Sequence, residues 1–253
     1  MSYTVITGAS AGIGTEFAKQ LAAAGDNLIL VARRKEKLLE LAAQLIAKYG
    51  VDIQCFSVDL SLASSSDELI NAIDTANLPV RALINNAGFG DRGHFTALSQ
   101  ERQMQMIQLN VNTLVALTHS LLPKMQGQAS PYVINVASTA AFQAGPTMAI
   151  YYATKAFVLS FSEALHEELK DQGISVSALC PGPTLSEFAA EANISDSNLF
   201  KAGAMTSAEV AQLGIANKDS AIVITGWKNK LSVNLGKFSP RVMTRRIAGW
   251  LQA

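Results

Sequence analysis

The sequence predicts an α/β fold with a doubly wound parallel sheet and helices on both of its faces. Two observations support this prediction. Strand-like and helix-like segments alternate almost from the first residue, and the strand-like runs are apolar on both faces in a chain that is 49% apolar. Such strands belong to parallel sheets buried between helices, and right-handed crossovers place helices on both sides.

Seven segments are short, apolar and typical of strands: residues 3–7, 27–32, 53–58, 80–85, 132–137, 174–180 and 221–225. Helical spacing of apolar residues follows in segments such as 13–24, 35–49, 62–76 and 151–169, and Gly25 and Gly50 are stop signals. An eight-fold barrel would need eight similar units, whereas these strands are unequally spaced. Because there is no linker or internal repeat, we expect a single domain over residues 1–253.

The composition excludes several classes of protein. Lys plus Arg and Asp plus Glu both total 20, so there is no electrostatic footprint for nucleic acid. The N-terminus has no signal-peptide pattern, and we therefore expect a cytoplasmic protein. Two cysteines and three histidines show no metal-ligand spacing, so we expect no metal site.

A glycine-rich turn joins the first strand to the first helix. It contains Gly8, Ser10, Ala11, Gly12, Ile13 and Gly14 in a Gly-x3-Gly-x-Gly spacing. Glycine allows close approach of a ligand, and the N-terminus of the helix suits a pyrophosphate. The spacing differs from both the common dinucleotide motif and the Walker loop. The position predicts a dinucleotide cofactor, and a turn without function is the alternative.

Two arginines occupy the place that selects the cofactor. Nucleotide folds that bind NAD have an acid about twenty residues beyond the glycines, whereas an arginine there suits a 2′-phosphate. Arg33 and Arg34 follow the second strand, and no acid lies between Asn27 and Lys35. We predict NADP(H), with Arg33 as first choice and Arg34 as second, while NAD(H) stays open. Two solvated arginines are the alternative.

A group of polar residues follows the carboxyl ends of later strands, where open α/β sheets bind ligands. Tyr151 and Lys155 are four residues apart on a predicted helix and share a face. A nearby ammonium lowers a phenol pKa and makes proton transfer feasible. Ser138 ends the fifth strand, and Asn110 interrupts an apolar stretch, where it either caps a local break or serves a site. Asp59 ends the third strand, where it suits either an adenine contact or a turn.

With these motifs the chain resembles the short-chain dehydrogenase/reductase family, from residue 3 to about residue 226. The resemblance rests on the glycine loop, residues 85–88, Asn110, Ser138, Tyr151 with Lys155, and Pro181-Gly182. It implies a seven-stranded, Rossmann-like sheet of order 3-2-1-4-5-6-7, a nicotinamide cofactor and carbonyl/alcohol redox chemistry. It also implies a homodimer or homotetramer through helices at 101–124 and 151–170.

The resemblance implies a role for each matching residue. Tyr151 is the general acid for ketone reduction, and Lys155 lowers its pKa and binds the nicotinamide ribose. Ser138 binds the substrate oxygen, and Asn110 holds a water that links Lys155 to solvent. The implied cofactor contacts are Asp59 and Leu60 at the adenine, Asn86, Ala87 and Gly88 below the central strand, and Pro181, Gly182 and Thr184 at the carboxamide. The glycine loop departs from some NADP-preferring members because it contains no basic residue.

Two further segments are candidates for contacts with the substrate and with other surfaces. Residues 185–205 match the substrate lid that the resemblance implies, with apolar residues Phe188, Ile194, Leu199 and Phe200, and an ordinary surface excursion is the alternative. Phe89, Phe142 and Met148 are further candidates for an apolar wall, and Arg92 is the candidate for holding a charged group. Residues 228–253 have six basic residues and no acid. We expect this basic amphipathic end to pack on the domain or a partner subunit rather than bind a membrane.

The sequence therefore predicts an oxidoreductase that transfers hydride between NADPH and an uncharged ketone or aldehyde. Two alternatives stay open at this point. One is a regulatory or sensor protein that binds the cofactor without turnover. The other is an epimerase or dehydratase on the same fold, although that class usually has a longer chain.

Overall fold

A computed structural model of the protein describes residues 2–194, 196–198 and 203–252. The strands of the central sheet are β1 (Tyr3–Thr7), β2 (Asn27–Ala32), β3 (Ile53–Ser57), β4 (Val80–Asn85), β5 (Tyr132–Val136), β6 (Ser175–Cys180) and β9 (Ile222–Ile224). A short separate pair consists of β7 (Thr184–Leu185) and β8 (Met205–Thr206). The sheet is parallel with the order β3-β2-β1-β4-β5-β6-β9, which confirms the predicted order because β9 takes the seventh position.

The helices lie between these strands. They are α1 (Gly12–Ala23), α2 (Lys35–Tyr49), α3 (Ser65–Thr75), α4 (Gln100–Ile107), α5 (Leu114–Met125), α6 (Ala149–Glu168), α7 (Glu187–Glu191), α8 (Ser207–Ala216), α9 (Trp227–Lys237) and α10 (Arg241–Gln252). A π-helical segment, Gln108–Thr113, joins α4 to α5, and 3-10 turns occupy Thr139–Phe142 and Lys170–Gln172. No helix of the described residues is long and apolar enough to cross a membrane.

The strands bury both of their faces, as the continuous apolar runs predict. Alternate residues of a strand point to opposite sides. Ile6 and Leu30 therefore pack on the side that α1, α2 and α8 cover. Val5 and Ile29 pack on the opposite side, against α3 and α5. Two apolar cores thus hold the sheet rigidly between two helical layers.

The direction of winding reverses at β1. This strand pairs with β2 on one side and β4 on the other. The loops that follow β1 and β4 therefore lead to helices on opposite faces of the sheet and leave a crevice at the carboxyl edge. The predicted site residues follow β1, β2, β4, β5 and β6 and gather along this edge.

A buried chain of hydrogen bonds crosses the sheet next to the crevice. Asn85 Nδ2 donates to Thr118 Oγ1 at 3.0 Å and to Asn135 Oδ1 at 2.9 Å. Asn135 Nδ2 in turn donates to Ser162 Oγ at 2.9 Å. The chain connects α5, β4, β5 and α6, so it holds the helix that contains Tyr151 in register with the central strands.

Candidate active site

The glycine loop has a conformation that only glycine adopts easily. Gly8 and Gly12 have φ values of 67° and 52°, in the left-handed region. Gly14 packs so closely that a Cβ atom there would collide with the Gly8 carbonyl oxygen. Ala11 provides no side-chain cap to α1, so the N–H groups of the first turn are free to bind an anion. The loop is therefore a cradle that suits a phosphate group.

Thr7 and Asn86 join the glycine loop to the loop after β4. Asn86 Nδ2 donates to the carbonyl oxygens of Thr7 at 2.9 Å and Gly8 at 3.3 Å. Thr7 Oγ1 accepts from the backbone N–H groups of Asn86 at 3.0 Å and Ala87 at 2.9 Å. Sequence analysis missed Thr7, although a threonine at the end of a strand beside a glycine loop is a recognisable signal.

The two predicted arginines differ in their surroundings. Arg34 lines the crevice and donates from Nη2 to Ser10 O and from Nε to Ser10 Oγ, both at 3.2 Å. Its Nη1 also lies 2.8 Å from Glu187 Oε2. Arg33 lies outside the crevice wall, with Nη2 3.9 Å from Glu191 Oε1 and most of its side chain in solvent. The sequence ranked Arg33 first, but the structure places Arg34 at the site.

Asp59 and Leu60 form a turn after β3. Asp59 Oδ1 accepts from Ser61 N at 3.0 Å and Ser61 Oγ at 2.7 Å, which is the Asx-turn pattern. The Leu60 carbonyl oxygen accepts from Thr113 Oγ1 at 2.8 Å. Both residues lie outside the crevice wall. The structure therefore shows the turn alternative for Asp59, and the adenine contact stays a prediction.

Tyr151 and Lys155 lie one turn apart on α6 and are both buried. Lys155 Nζ lies 5.8 Å from the centre of the Tyr151 ring and donates to the Val136 carbonyl oxygen at 2.7 Å. Burial lowers the pKa of Lys155 to about 8, and the charge of Cys180 partly opposes this shift. The lysine is thus held at the carboxyl end of β5, where it faces the crevice.

The pKa of Tyr151 moves in the direction opposite to the one expected from sequence. Burial raises this pKa, hydrogen bonding with Ser138 opposes the increase, and Tyr152 adds to it. The Lys155 ammonium does not determine the pKa of Tyr151. Desolvation of a buried phenolate costs more free energy than a cation several ångströms away offsets. Tyr151 is therefore a protonated phenol at neutral pH in this structure.

Ser138 begins the 3-10 turn after β5. Its Oγ accepts from Ala140 N at 3.1 Å and donates to the Pro181 carbonyl oxygen at 3.4 Å. Pro181 and Gly182 follow β6, and Thr184 Oγ1 donates to the Gly182 carbonyl oxygen at 3.0 Å. These contacts bring the loops after β5 and β6 together on the side of the crevice that faces Tyr151.

Asn110 lies in the π-helical segment, a structure often found at functional sites. Its Nδ2 donates to the Phe89 carbonyl oxygen at 3.0 Å and to Thr154 Oγ1 at 3.1 Å. Its Oδ1 accepts from Phe89 N at 3.1 Å. A Cβ atom at Gly88 would lie 2.9 Å from the same Oδ1. Asn110 therefore locks the loop after β4 onto α6, and its predicted water stays a prediction.

A cavity of about 300 Å³ occupies the crevice. Most of the predicted residues line it: Gly8, Ser10, Ala11, Gly12, Ile13, Arg34, Asn86, Ala87, Gly88, Ser138, Tyr151, Lys155, Pro181, Gly182 and Thr184. Those outside the lining are Gly14, Arg33, Asp59, Leu60 and Asn110. The structure thus brings residues from five strand ends into one wall.

The apolar end of the cavity differs in part from the prediction. Met148, Phe188 and Ile194 line it, whereas Phe89 and Phe142 do not. The predicted lid residues Leu199 and Phe200 lie outside the described residues. Helix α7, within the predicted lid, instead contributes the carboxylates of Glu187 and Glu191 to the cavity wall. Glu187 pairs with Arg34 and with Lys37. Hydrogen bonds from these two cations hold the pKa of Glu187 below its usual value.

The end of α10 forms part of the cavity wall, which sequence analysis missed. Leu251 and Gln252 line the cavity, and Gln252 Nε2 donates to the Tyr152 hydroxyl oxygen at 2.6 Å. Gln252 Oε1 is buried without a hydrogen-bond partner. Arg92 Nη1 donates to the Gln252 carbonyl oxygen at 2.6 Å. Arg92, the sequence candidate for a charged substrate group, therefore holds α10 instead.

Comparisons with known proteins agree with this fold and arrangement. Residues 2–197 match the family described as short chain dehydrogenase. A very-long-chain 3-oxoacyl-CoA reductase of Laccaria bicolor is 36% identical over 180 residues, which cover 70% of this chain and 53% of that protein. The chain thus spans about half the length of this relative.

Solved structures are similar over nearly the whole chain. A short-chain dehydrogenase from Sphingobium yanoikuyae in complex with NADPH has a TM-score of 0.82, is 28% identical and covers 95% of this chain and 97% of its own. A short-chain dehydrogenase/reductase from Burkholderia phymatum in complex with NAD has a TM-score of 0.79, is 26% identical and covers 92% of each chain. On the family match and the shared sheet, the chain belongs to the short-chain dehydrogenase family of oxidoreductases.

Proposed function

We propose that the protein is an NADP(H)-dependent carbonyl reductase in which Tyr151 is the general acid. The observation behind this proposal is the position of the Tyr151 phenol, which lies beside Ser138 in the same cavity as the glycine loop. A proton donor, a hydrogen-bond donor and a cofactor cradle then surround one space of about 300 Å³. This is the arrangement that reduction of a bound ketone requires.

The residues present fit a nicotinamide dinucleotide. Gly8, Gly12 and the free N–H groups of α1 suit the pyrophosphate, and Lys155 suits the ribose hydroxyls. Pro181, Gly182 and Thr184 form the wall where the carboxamide is expected. When bound, the cofactor supplies the hydride that reduces the carbonyl carbon.

The side chains then perform the proton chemistry. Negative charge grows on the substrate oxygen as the carbonyl is reduced, and the Ser138 and Tyr151 hydroxyls stabilise it by hydrogen bonds. Burial keeps Tyr151 protonated, which is the state a general acid needs. After Tyr151 releases its proton, the Lys155 ammonium is the nearest cation to the phenolate, at 5.8 Å from the ring centre.

Arg34 supports a preference for NADP(H). A guanidinium binds phosphate through paired hydrogen bonds, and Arg34 lies at the glycine loop through its contacts with Ser10. The chain has no acid at this position after β2 that would bind a ribose 2′-hydroxyl. Glu187 is the present partner of Arg34. The 2′-phosphate of a bound cofactor would compete with this carboxylate for the guanidinium.

The cavity supports an uncharged, apolar ketone or aldehyde as substrate. Met148, Phe188 and Ile194 provide an apolar wall. Among the described residues, Arg34 and Lys155 are the only basic ones that line the cavity. Both cations are already assigned to the cofactor. The name of the Laccaria bicolor relative, a 3-oxoacyl-CoA reductase, includes a ketone on an acyl chain and agrees with this class.

A homodimer or homotetramer completes the proposal. Leu114, Leu117 and Val158 from the predicted contact helices are absorbed by the core. Met104 on α4 and Phe157 on α6 stay exposed, at 57% and 42%. These two side chains support a subunit contact along α4 and α6.

The phenol of Tyr151 is the group to test. We expect Tyr151→Phe to bind NADPH normally, by fluorescence titration, and to lose at least about 10³-fold in kcat with a panel of apolar ketones. Tyr49→Phe on α2 is the matched control, because it removes a hydroxyl that lies outside the cavity wall and should leave turnover unchanged. Turnover in Tyr151→Phe close to that of the unmodified protein would contradict the mechanism. A lack of NADPH oxidation with every ketone would instead favour a cofactor-binding sensor.

A further inference from the structure

The two C-terminal helices present apolar side chains to solvent. On α9, Trp227, Leu231 and Leu235 are 71%, 53% and 61% exposed, and Phe238, the residue that caps its C-terminus, is 92% exposed. Their spacing of four, four and three residues places them on one side of the helix. Val233 is the buried residue of α9 and points away from this side.

Helix α10 likewise has one exposed apolar side. Val242, Met243, Ile247 and Trp250 are between 44% and 65% exposed, whereas Ala248 and Gln252 are buried on the opposite side. Val242, Ile247 and Trp250 therefore do not pack on the domain, and their expected contact with a partner subunit stays a prediction. We call the exposed sides of α9 and α10 the C-terminal face, a name for the two helix sides together and not for a single plane.

The C-terminal face is strongly basic. Its helices contain six cations, Lys228, Lys230, Lys237, Arg241, Arg245 and Arg246, and no Asp or Glu follows Asp219. The rest of the chain has 14 basic and 20 acidic residues, so the zero net charge hides a segregation of charge. Within the described chain none of the six cations forms an ion pair.

We propose that the C-terminal face binds the surface of an anionic phospholipid bilayer. Exposed Trp, Phe and Leu side chains on one side of a helix enter the boundary between headgroups and acyl chains. The flanking Lys and Arg residues then lie at the level of the anionic headgroups. The helices lie on the membrane and do not cross it, in agreement with their lengths of 11 and 12 residues.

Charge favours a lipid surface over a second copy of the chain. A two-fold contact between two C-terminal faces would bring the cations of both copies together without an acid between them. An anionic bilayer supplies the opposite charge over the whole area of the face. Each cation near such a surface contributes about a fivefold gain in affinity.

The position of α10 relates this surface to the cavity. Leu251 and Gln252, at the last turn of the helix, line the cavity, while Met243 and Trp250 on the same helix are exposed. The bilayer contact therefore lies beside the wall of the cavity. The proposal stands without the redox chemistry, because lipid binding is measured without turnover.

Vesicle sedimentation tests the proposal directly. The full chain is mixed with vesicles of phosphatidylcholine alone or with about a third phosphatidylserine, at low and high salt. We expect binding to the anionic vesicles only, with a loss at high salt. Leu235→Ser/Phe238→Ser and Arg245→Gln/Arg246→Gln should each weaken this binding at least tenfold. Leu39→Ser and Lys35→Gln, at exposed positions of α2, are the matched controls and should bind normally.

The variants also separate lipid binding from self-association. Substitutions at exposed positions leave the core intact, and circular dichroism checks the fold of each variant. Failure of the unmodified chain to bind anionic vesicles would overturn the proposal. Equal binding by the variants and the unmodified chain would overturn it too. A dimer that the Leu235→Ser/Phe238→Ser variant converts to a monomer, without vesicle binding, would assign the face to a second copy.

Discussion

Tyr151 and Lys155 show how burial governs the charge of two neighbouring side chains. Desolvation raises the pKa of the phenol and lowers that of the ammonium, so both neutral forms are favoured. The spacing of the two residues identified the pair, but it predicted a lowered pKa for Tyr151, whereas the structure raises this pKa. That direction depends on how much solvent surrounds the pair, which is a property of the folded structure.

The lowered pKa of Lys155 predicts a stability that increases with pH. The folded protein loses the proton at about pH 8, whereas an unfolded lysine keeps it to about pH 10.5. Between these values the unfolded state binds more protons, so the free energy of unfolding rises with pH. Relative to Lys155→Met, we expect the unmodified protein to gain about 2 kcal/mol between pH 7.5 and 9.5. Urea unfolding at several pH values measures this difference.

A surface lysine provides the control for this measurement. Lys170 is exposed in the turn after α6, and Lys170→Met should show the same pH dependence as the unmodified protein. Comparison between variants is required because burial also raises the pKa of the Cys180 thiol to about 12. This thiol makes the folded protein less stable above about pH 9, and it is unchanged in Lys170→Met. In Lys155→Met the pKa of the thiol rises further, because Lys155 no longer opposes the effect of burial. If the free energy of unfolding of Lys155→Met changed with pH in the same way as that of the unmodified protein, the lowered pKa of Lys155 would be refuted.

Arg34 should decide cofactor preference. We expect Arg34→Ala to weaken NADPH binding about tenfold or more, since a bidentate contact to a phosphate is lost. NADH binding should change less than about threefold because that cofactor has no 2′-phosphate. Arg33→Ala, which alters a residue outside the cavity wall, is the comparison and should have the smaller effect. Fluorescence titration with NADPH and with NADH measures the affinities of both variants, for comparison with those of the unmodified protein. Equal losses for NADPH and NADH would mean that Arg34 only supports Ser10 and the loop.

At the scale of elements, the buried asparagines of β4 and β5 determine how the central strands meet their helices. Asn135 is fully buried and bridges Asn85 and Ser162. In Asn135→Ala both partners would each lose a hydrogen bond while they stay buried away from water. We expect the free energy of unfolding to fall by about 2–3 kcal/mol. Chemical denaturation measures this cost.

An exposed asparagine is the matched control for Asn135. Asn71 on α3 is exposed, and its replacement by alanine should change stability by less than about 0.5 kcal/mol. A similarly small effect for Asn135→Ala would show that water or a neighbouring group replaces the lost contacts. Because the hydrogen-bond chain ends on α6, the Asn135 variant should also lower turnover more than it lowers NADPH binding.

The π-helical segment is the element that the sequence identified only in part. Asn110 was conspicuous as a polar residue in an apolar stretch, and both the local break and the link to the site are present in the structure. The position of the Asn110 side chain could not be predicted, because its hydrogen bonds are made with Phe89 and Thr154, which lie on other segments.

At the scale of the whole molecule, the C-terminal helix closes the cavity. Arg92 joins the Gln252 carbonyl oxygen to Asp196, with distances of 2.6 Å to each. We expect Arg92→Met to release the end of α10 and to raise KM for apolar ketones about tenfold, because a charge-assisted hydrogen bond of roughly 1.5–3 kcal/mol is lost. Steady-state kinetics with saturating NADPH measures KM and kcat separately.

An exposed cation away from the cavity is the control for Arg92. Lys48→Met on α2 should leave KM unchanged. A fall in kcat with an unchanged KM for Arg92→Met would contradict closure of the substrate end and would indicate a disturbance near Tyr151 instead.

The resemblance to the short-chain dehydrogenase/reductase family implied the order of the sheet. The sequence by itself determined the alternation of strands and helices and the set of residues at the carboxyl ends of the strands. These features depend on local periodicity and on motifs such as Gly8 to Gly14, which are readable along the chain. Only the tertiary structure decided that Arg34 rather than Arg33 faces the cavity and that Gln252 meets Tyr152, one hundred residues away. It also decided the direction of the Tyr151 pKa and the exposure of α9 and α10. The physical reason is that burial and solvation depend on all the segments that surround a side chain, and sequence spacing records only neighbours on the same segment.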